Sequence, residues 1–223
     1  MNCKRCNELC IKKGFQKNLK QKWYCNTCKL YQQSNYVYKL CSINDEKMIV
    51  TLNNNGVGVR GIARVTGIST TNVINKIKQL AVKCFKPEIA EDKQEYEVDE
   101  MQTYIQNKKN RCYITYAINK KTRQMINMVV GPRTKEMLGK VINSLLKLNP
   151  KKIFTDGLNL YPTLIKKEIH FVNPYRINHI ERLNLSLRTH IKRLSRRTIC
   201  FSKSICMLEN CLRIYFCRTL IVK

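Results

Sequence analysis

Acidic residues are scarce in this chain of 223 residues, with 15 Asp and Glu against 42 Lys and Arg and a formal net charge of +27. Solubility requires no such excess; it suits a polyanionic partner, nucleic acid first. Long apolar runs are missing as well. No stretch approaches the roughly eighteen residues of a membrane-spanning helix, and no membrane partner is expected. Cys3, Lys4, Arg5 and Cys6 stand where the apolar part of a signal peptide would follow, which argues against secretion. Without a secretory signal, the 12 cysteines are read as metal ligands and buried thiols of a reducing, cytoplasmic compartment rather than as disulfides. Fixed-period repeats and low-complexity tracts are absent too. What is present is 43% hydrophobic content, enough for one good core and a smaller module.

Charge is unevenly spread. Sixteen Lys/Arg and three acids precede Glu88, and twenty-five Lys/Arg and five acids follow Glu100. Between them Glu88, Glu91, Asp92, Glu95, Glu97, Asp99 and Glu100 form an acidic island just after Pro87, which reads as a linker running into a new domain. The division expected is a ribbon module at 1–40, a helical domain at 41–86, a linker at 87–95 and a larger domain at 96–223. In the last, β-branched and aromatic runs at 96–105, 111–119 and 124–130 predict an antiparallel meander. Met137, Leu138, Val141, Ile142, Leu145 and Leu146 then recur at helical spacing. A strand at 152–155, a helix near 159–168, a strand near 170–172 and helices from about Asn178 and Lys203 complete the order of a ribonuclease-H-like α/β domain.

Cys3-x-x-Cys6 and Cys25-x-x-Cys28 are paired knuckles, each able to offer two thiolates to a tetrahedral ion; zinc fits four sulfur ligands and would add folding free energy to a segment too small to fold alone. Lys12, Lys13, Lys17, Lys20 and Lys22, with Trp23 and Tyr24, give this ribbon a basic, partly aromatic surface. Cys10, Cys41, Cys84, Cys112, Cys200, Cys206, Cys211 and Cys217 are mostly expected to be buried thiols.

From Gly58 the pattern suits a helix-turn-helix. Val59, Ile62, Ala63 and Val65 fit a short helix, Gly67 the turn, and Ser69 the cap of a second helix with Val73, Ile74, Ile77, Leu80 and Ala81 inside. Thr70, Thr71, Asn72, Asn75, Lys76 and Lys78 are left for groove and phosphate contacts. A plain helical hairpin would show the same apolar stripe; the surrounding positive charge favours DNA.

In so basic a chain, a carboxylate at a strand end needs a reason. Asp99 lies in the first strand segment, and Asp156 directly follows Lys-Ile-Phe-Thr, with Gly157 behind it permitting close approach of a ligand. Glu181, the sole acid between His179 and Cys200, shares a helix face with Asn184, Arg188 and Lys192, while Ile180, Leu183, Leu187, Ile191 and Leu194 mark the buried stripe. Singly, these acids also fit a strand-edge charge, a helix cap and an intrahelical ion pair. Together, on two strands and a helix, they can hold two Mg²⁺ (or Mn²⁺) ions about 4 Å apart for phosphoryl transfer. Arg182, Arg193, Arg196 and Arg197, with Asn184, Arg188 and Lys192, are then candidates to hold the DNA backbone. His170, His179 and His190 do not suit an oxygen-only site.

Tyr-Glu-Val-Asp-Glu-Met, Phe-Thr-Asp-Gly and His-Ile-Glu-Arg-Leu-Asn-Leu-Ser-Leu-Arg resemble signatures of the bacterial insertion-sequence-one transposases. The paired CxxC ribbon, Arg-Gly-Ile-Ala-Arg and the late Arg-Leu-Ser-Arg-Arg-Thr and Phe-Ser-Lys-Ser resemble that family in the same order. The resemblance implies a DDE domain with the triad Asp99, Asp156 and Glu181, recognition of terminal inverted repeats by the amino-terminal half, and Mg²⁺-dependent strand cleavage and transfer. It also implies a homodimer or higher oligomer bridging two double-stranded ends on the nucleoid. Two departures stand out. Lys-Trp-Tyr-Cys replaces the family's frequent Arg-Tyr-Arg-Cys, and Arg-Leu-Asn replaces Arg-His-Asn after the glutamate. A catalytically inactive DNA-binding repressor and a metal-dependent nuclease of the same fold are the alternatives.

Overall fold

Residues 1–34 hold too few apolar side chains to close a core, and in the computed structural model they form a small antiparallel sheet around cysteine. The model describes residues 1–16, 19–34, 43–84, 93–173 and 177–217, and the chain divides into two compact units, Met1–Leu40 and Cys41–Lys223. In the first, strands β1 (Ile11–Phe15), β2 (Gln21–Cys25) and β3 (Leu30–Gln32) pair in that order. All of β1 is exposed, and the buried group is Cys3, Cys10 and Cys25, packed by Cys6, Trp23 and Cys28. Lys12 and Lys22 lie over the rings of Trp23 and Tyr31, as a basic and aromatic surface requires. Lys17, Cys41 and the linker up to Asp92 lie outside the described residues.

The second unit is mixed α/β. Three helices come first: α1 (Ile43–Asn54), α2 (Val59–Thr66) and α3 (Thr70–Cys84). Gly67 closes α2 in the left-handed conformation, and the Ser69 hydroxyl accepts from the Asn72 N–H at the start of α3. Then come β4 (Glu95–Tyr104), β5 (Arg111–Asn119) and β6 (Met125–Gly131), helix α4 (Lys135–Leu146), β7 (Lys152–Thr155), β8 (His170–Val172), α5 (Asn178–His190) and α6 (Ile205–Phe216). The five strands lie in the order β6-β5-β4-β7-β8, with β5 antiparallel to both neighbours and β4, β7 and β8 parallel.

Alternation along β4 assigns its side chains to opposite layers. Tyr96 and Val98 join Ile153 and α4's Leu138, Val141, Ile142 and Leu145 in one core. Met101 joins Ile114, Tyr116, Phe154, α5's Ile180 and Leu187, and α6's Leu208 and Leu212 in the other. The sequence reading fails between β7 and β8. A helix is expected near 159–168, but the chain makes only a 3-10 turn, Tyr161–Thr163. Pro162 supplies no N–H, and the bonds that form run mainly three residues back, Thr163 to Leu160 and Leu164 to Tyr161, as in turns.

Helices α1–α3, set apart at 41–86 by the sequence, share their core with the last helix. Ile49, Ile62, Val73, Ile77 and Leu80 pack on Cys211 and Ile214, and the buried Asn53 amide donates to the Cys211 carbonyl at 3.1 Å. Helix α6 is therefore buried on two sides, and each Leu or Ile it covers contributes roughly 1.5–3 kcal/mol. The turn after α1 packs just as closely. Gly56 has φ +74°, and a Cβ there would lie 2.6 Å from the His190 carbonyl oxygen and 2.9 Å from the Lys192 nitrogen. Backbone on both sides cannot yield cheaply. Gly56→Ala should lower stability by about 2–4 kcal/mol from left-handed strain and overpacking combined, read as a lower denaturation midpoint in urea; an unchanged midpoint contradicts this packing.

Candidate active site and cysteine cluster

Strand register builds the acidic site. Parallel pairing sets Glu97 opposite Phe154, and β7 ends one residue later at Thr155. Two further steps bring Asp99 level with Asp156, where β4 continues past the end of its parallel neighbour. One oxygen each of Asp99, Glu100 and Asp156 lies within 4.8 Å of the others.

The three carboxylates are held differently. Asp99, half-buried, accepts from the Glu100 N–H at 2.7 Å and from the Asn184 side-chain amide at 2.6 Å. Glu100 turns to the α4 side, where Arg133 pairs with it at 2.9 Å and the Tyr161 hydroxyl donates to its other oxygen. Asp156 is exposed and accepts the Leu158 N–H at 3.1 Å; Gly157 follows with φ +92°, so the glycine serves the turn as well as access. Burial, then the charges of Asp156 and Glu100, push the Asp99 carboxyl up to about 6 against the Glu100 N–H and the Asn184 amide. An all-oxygen set crowded with like charge fits a hard divalent cation, which would relieve the repulsion.

Glu181 lies outside that 4.8 Å cluster. It is exposed in the first turn of α5, three residues before Asn184, which touches Asp99; the two share one side of the helix. Glu97, two residues before Asp99 on the same face of β4, is wholly buried and holds His179 and the Ile180 N–H.

In the small unit the Sγ atoms of Cys3, Cys6, Cys25 and Cys28 lie within 4.8 Å of one another, with Cys6 and Cys25 at 3.5 Å. Both knuckles have the same form: Asn7 and Lys29, each following a second cysteine, take φ of 61° and 53°. Backbone N–H groups of Cys6 and Arg5 draw the Cys3 thiol down to about 6. Four converging sulfurs, one already inclined to ionise, fit zinc. Cys10 is buried beside them but outside the set of four.

Residues 95–220, more than half of the chain, match the family model described as IS1 transposase. The chain belongs to the IS1 transposase family. Insertion element IS1 4 protein InsB of Escherichia coli strain K12 is 43% identical over 51 residues, 23% of this chain and 30% of that protein. Insertion element IS1 protein InsB of Shigella flexneri is 43% identical over 51 residues, 23% of this chain and 39% of that protein. The match thus spans well under half the length of these curated relatives. Among solved structures, a chain of the simian T-cell lymphotropic virus intasome in complex with PP2A regulatory subunit B56 gamma aligns over 65% of this chain and 59% of its own, at 16% identity and a TM-score of 0.31.

Within this IS1-family chain, several residues assigned to DNA by sequence are engaged internally. Asn184 bridges Asp99 and the Tyr116 hydroxyl, Lys76 pairs with Glu46 at 2.7 Å, Arg193 donates to the Ser202 hydroxyl, and Arg188 to the Leu194 carbonyl. Thr70, Thr71, Asn72, Arg182, Lys192, Arg196 and Arg197 are exposed. Sequence reasoning missed Glu97, Glu100, Tyr161 and Arg133. Glu97 had a legible signal, an acid flanked by Tyr96 and Val98 and in step with Asp99. Arg133 and Tyr161 had none, since only folding brings them to Glu100.

Proposed function

We propose that this IS1-family transposase is a DDE enzyme that cleaves DNA strands at the element's ends and joins them to a target with Mg²⁺ or Mn²⁺. The observation that carries this is Asp99 and Asp156 meeting at the end of a parallel strand pair, on the face where α5 carries Glu181. The strand order β6-β5-β4-β7-β8, in which β5 alone runs against the other four, supports a ribonuclease-H-like fold. Asp99, Asp156 and Glu181 would hold the cations, which supply Lewis-acid stabilisation of the scissile phosphate. Asn184 orients Asp99, and Arg133 and Tyr161 fix Glu100, whose carboxylate reaches the same cluster of oxygens.

The four thiolates hold zinc and make 1–40 a ribbon domain. Helices α2 and α3 act as a helix-turn-helix, presenting Thr70, Thr71 and Asn72 to a groove of double-stranded DNA. Arg182, Lys192, Arg196 and Arg197 track phosphates, with Arg188 and Arg193 behind them. Two protomers would pair two element ends. No helix among the described residues is long and apolar enough to cross a membrane.

Raising the Asp99 value above that of an ordinary carboxyl means that the metal-free protein keeps its proton up to about pH 6. A cation must displace that proton, so Mn²⁺ affinity should fall by about tenfold per pH unit below 6 and level off above it, as calorimetry would show. Equal affinity at pH 5 and 7 contradicts this. The function itself is tested by incubating the purified chain with Mg²⁺, labelled DNA bearing the element's ends and a target plasmid. Joined products establish the transposase; cleavage without joining indicates a nuclease, and specific binding without cleavage a repressor.

A further inference from the structure

Helix α5 begins without a side-chain cap from its own segment, yet Ile180, the residue just before Glu181, is bound at both its backbone N–H and its carbonyl. The Ile180 N–H donates to Glu97 Oε2 at 2.9 Å, and the Ile180 carbonyl, in the peptide leading into Glu181, accepts from the Tyr116 hydroxyl at 3.3 Å. The other oxygen of Glu97 bonds His179 Nδ1 at 2.8 Å, so this wholly buried carboxylate is spent on the start of α5 and is unavailable as a ligand. Tyr116 is the direct cross-strand partner of Asp99, and its single hydroxyl hydrogen is shared between the Ile180 carbonyl and the nearer Asn184 Oδ1 at 2.8 Å, whose amide holds Asp99. Glu97, Asp99 and Tyr116 thus form one platform on β4 and β5 that grips α5 immediately before Glu181 and again one turn later.

We infer that Glu97 and Tyr116 are positioning residues that hold Glu181 in place for the divalent cation shared with Asp99 and Asp156. Burying a carboxylate is costly unless its acceptors are filled, and here both are filled by one helix end. Outer groups of this kind orient ligands elsewhere, and their removal weakens metal binding by roughly 10–100-fold. Tyr116 adds restraint without charge, since burial and the nearby Asp99 keep its hydroxyl protonated and donating. Asn184, sharing α5 with Glu181, transmits the same restraint to Asp99.

This inference rests on the proposed ligand role of Glu181, and the test separates the two. Mn²⁺ binding to the full chain would be followed by electron paramagnetic resonance for wild type, Glu181→Gln, Glu97→Ala, Tyr116→Phe and the double variants, with amide exchange over residues 178–184 measured in metal-free protein. Glu181→Gln should weaken Mn²⁺ binding by about tenfold, and Glu97→Ala or Tyr116→Phe should weaken it comparably. Adding Glu181→Gln to Glu97→Ala should then cost little more, because a misplaced glutamate has no contribution left to lose. Exchange at Ile180 should accelerate in Glu97→Ala but not in Glu181→Gln. Glu97→Gln, whose amide oxygen still accepts the Ile180 N–H, should recover most of the loss, and it guards against a Glu97→Ala chain that fails to fold. Fully additive losses, or wild-type Mn²⁺ affinity in both Glu97→Ala and Tyr116→Phe, overturn the inference while leaving the triad standing. Unchanged affinity in Glu181→Gln overturns the triad reading, and this inference with it.

Discussion

Asp156→Asn should reduce strand cleavage on the order of 10³-fold, about 4 kcal/mol of lost transition-state stabilisation, with DNA binding held within about twofold. The side chain is exposed and its one hydrogen bond accepts the Leu158 N–H, which an amide oxygen can still accept, so stability should barely change. What disappears is one of the charges that attract a cation to the end of β7. Removing it should also lower the Asp99 carboxyl toward its ordinary range, since Asp156 is one of the charges that raise it. Glu100→Gln is the informative comparison. Glu100 also brings an oxygen within 4.8 Å of those of Asp99 and Asp156, but its carboxylate is already engaged by Arg133 and Tyr161, so its loss should cost only about tenfold, through the setting of β4 and the charge of the cluster. A single-turnover cleavage assay with DNA held above saturation measures both; an Asp156→Asn protein that cuts like wild type would remove the catalytic reading of this acidic cluster.

Cys25→Ser should unfold residues 1–34 while leaving the second unit folded. Among the described residues of that segment there is no other apolar core to hold it: β1 is wholly exposed, and the hydrophobic cluster is cysteine packed by Trp23. Structural zinc in modules of this size carries about 10–16 kcal/mol of apparent binding free energy, which here would be nearly all of the folding free energy. Zinc content should drop from one ion per chain to none, amide exchange in β1–β3 should become unprotected, and specific binding to element ends should weaken. Strands β4–β8 should keep their protection, because their two cores lie in the other unit. A ribbon that stays protected after zinc chelation would count against this.

The two knuckles are legible as letters, because a tight turn with two thiolates needs only four consecutive residues. The stripes of α3 and α4 are legible because helical period alone decides which side chains meet, and Val73, Ile77 and Leu80, like Leu138, Val141 and Ile142, are buried as their spacing demands. Beyond β7 this ceases to work. Leu158, Leu160, Leu164 and Ile165 look helical by composition, yet Pro162 and burial against the α4 layer settle them as turns.

Asp99 and Asp156 could be singled out by sequence, as carboxylates where a basic chain has little use for them. That they stand side by side was decided by the β4–β7 register, a choice made by packing over more than fifty residues of separation. The tertiary structure alone decided that Glu97, 83 residues from Ile180, caps α5, that Asn184 serves Asp99, and that α6 closes the core of α1–α3. Local spacing specifies turns, periods and knuckles because those involve neighbours in the chain. Which distant groups satisfy one another is a property of the packed layers, where a buried carboxylate or an uncapped helix end must find its partner in space.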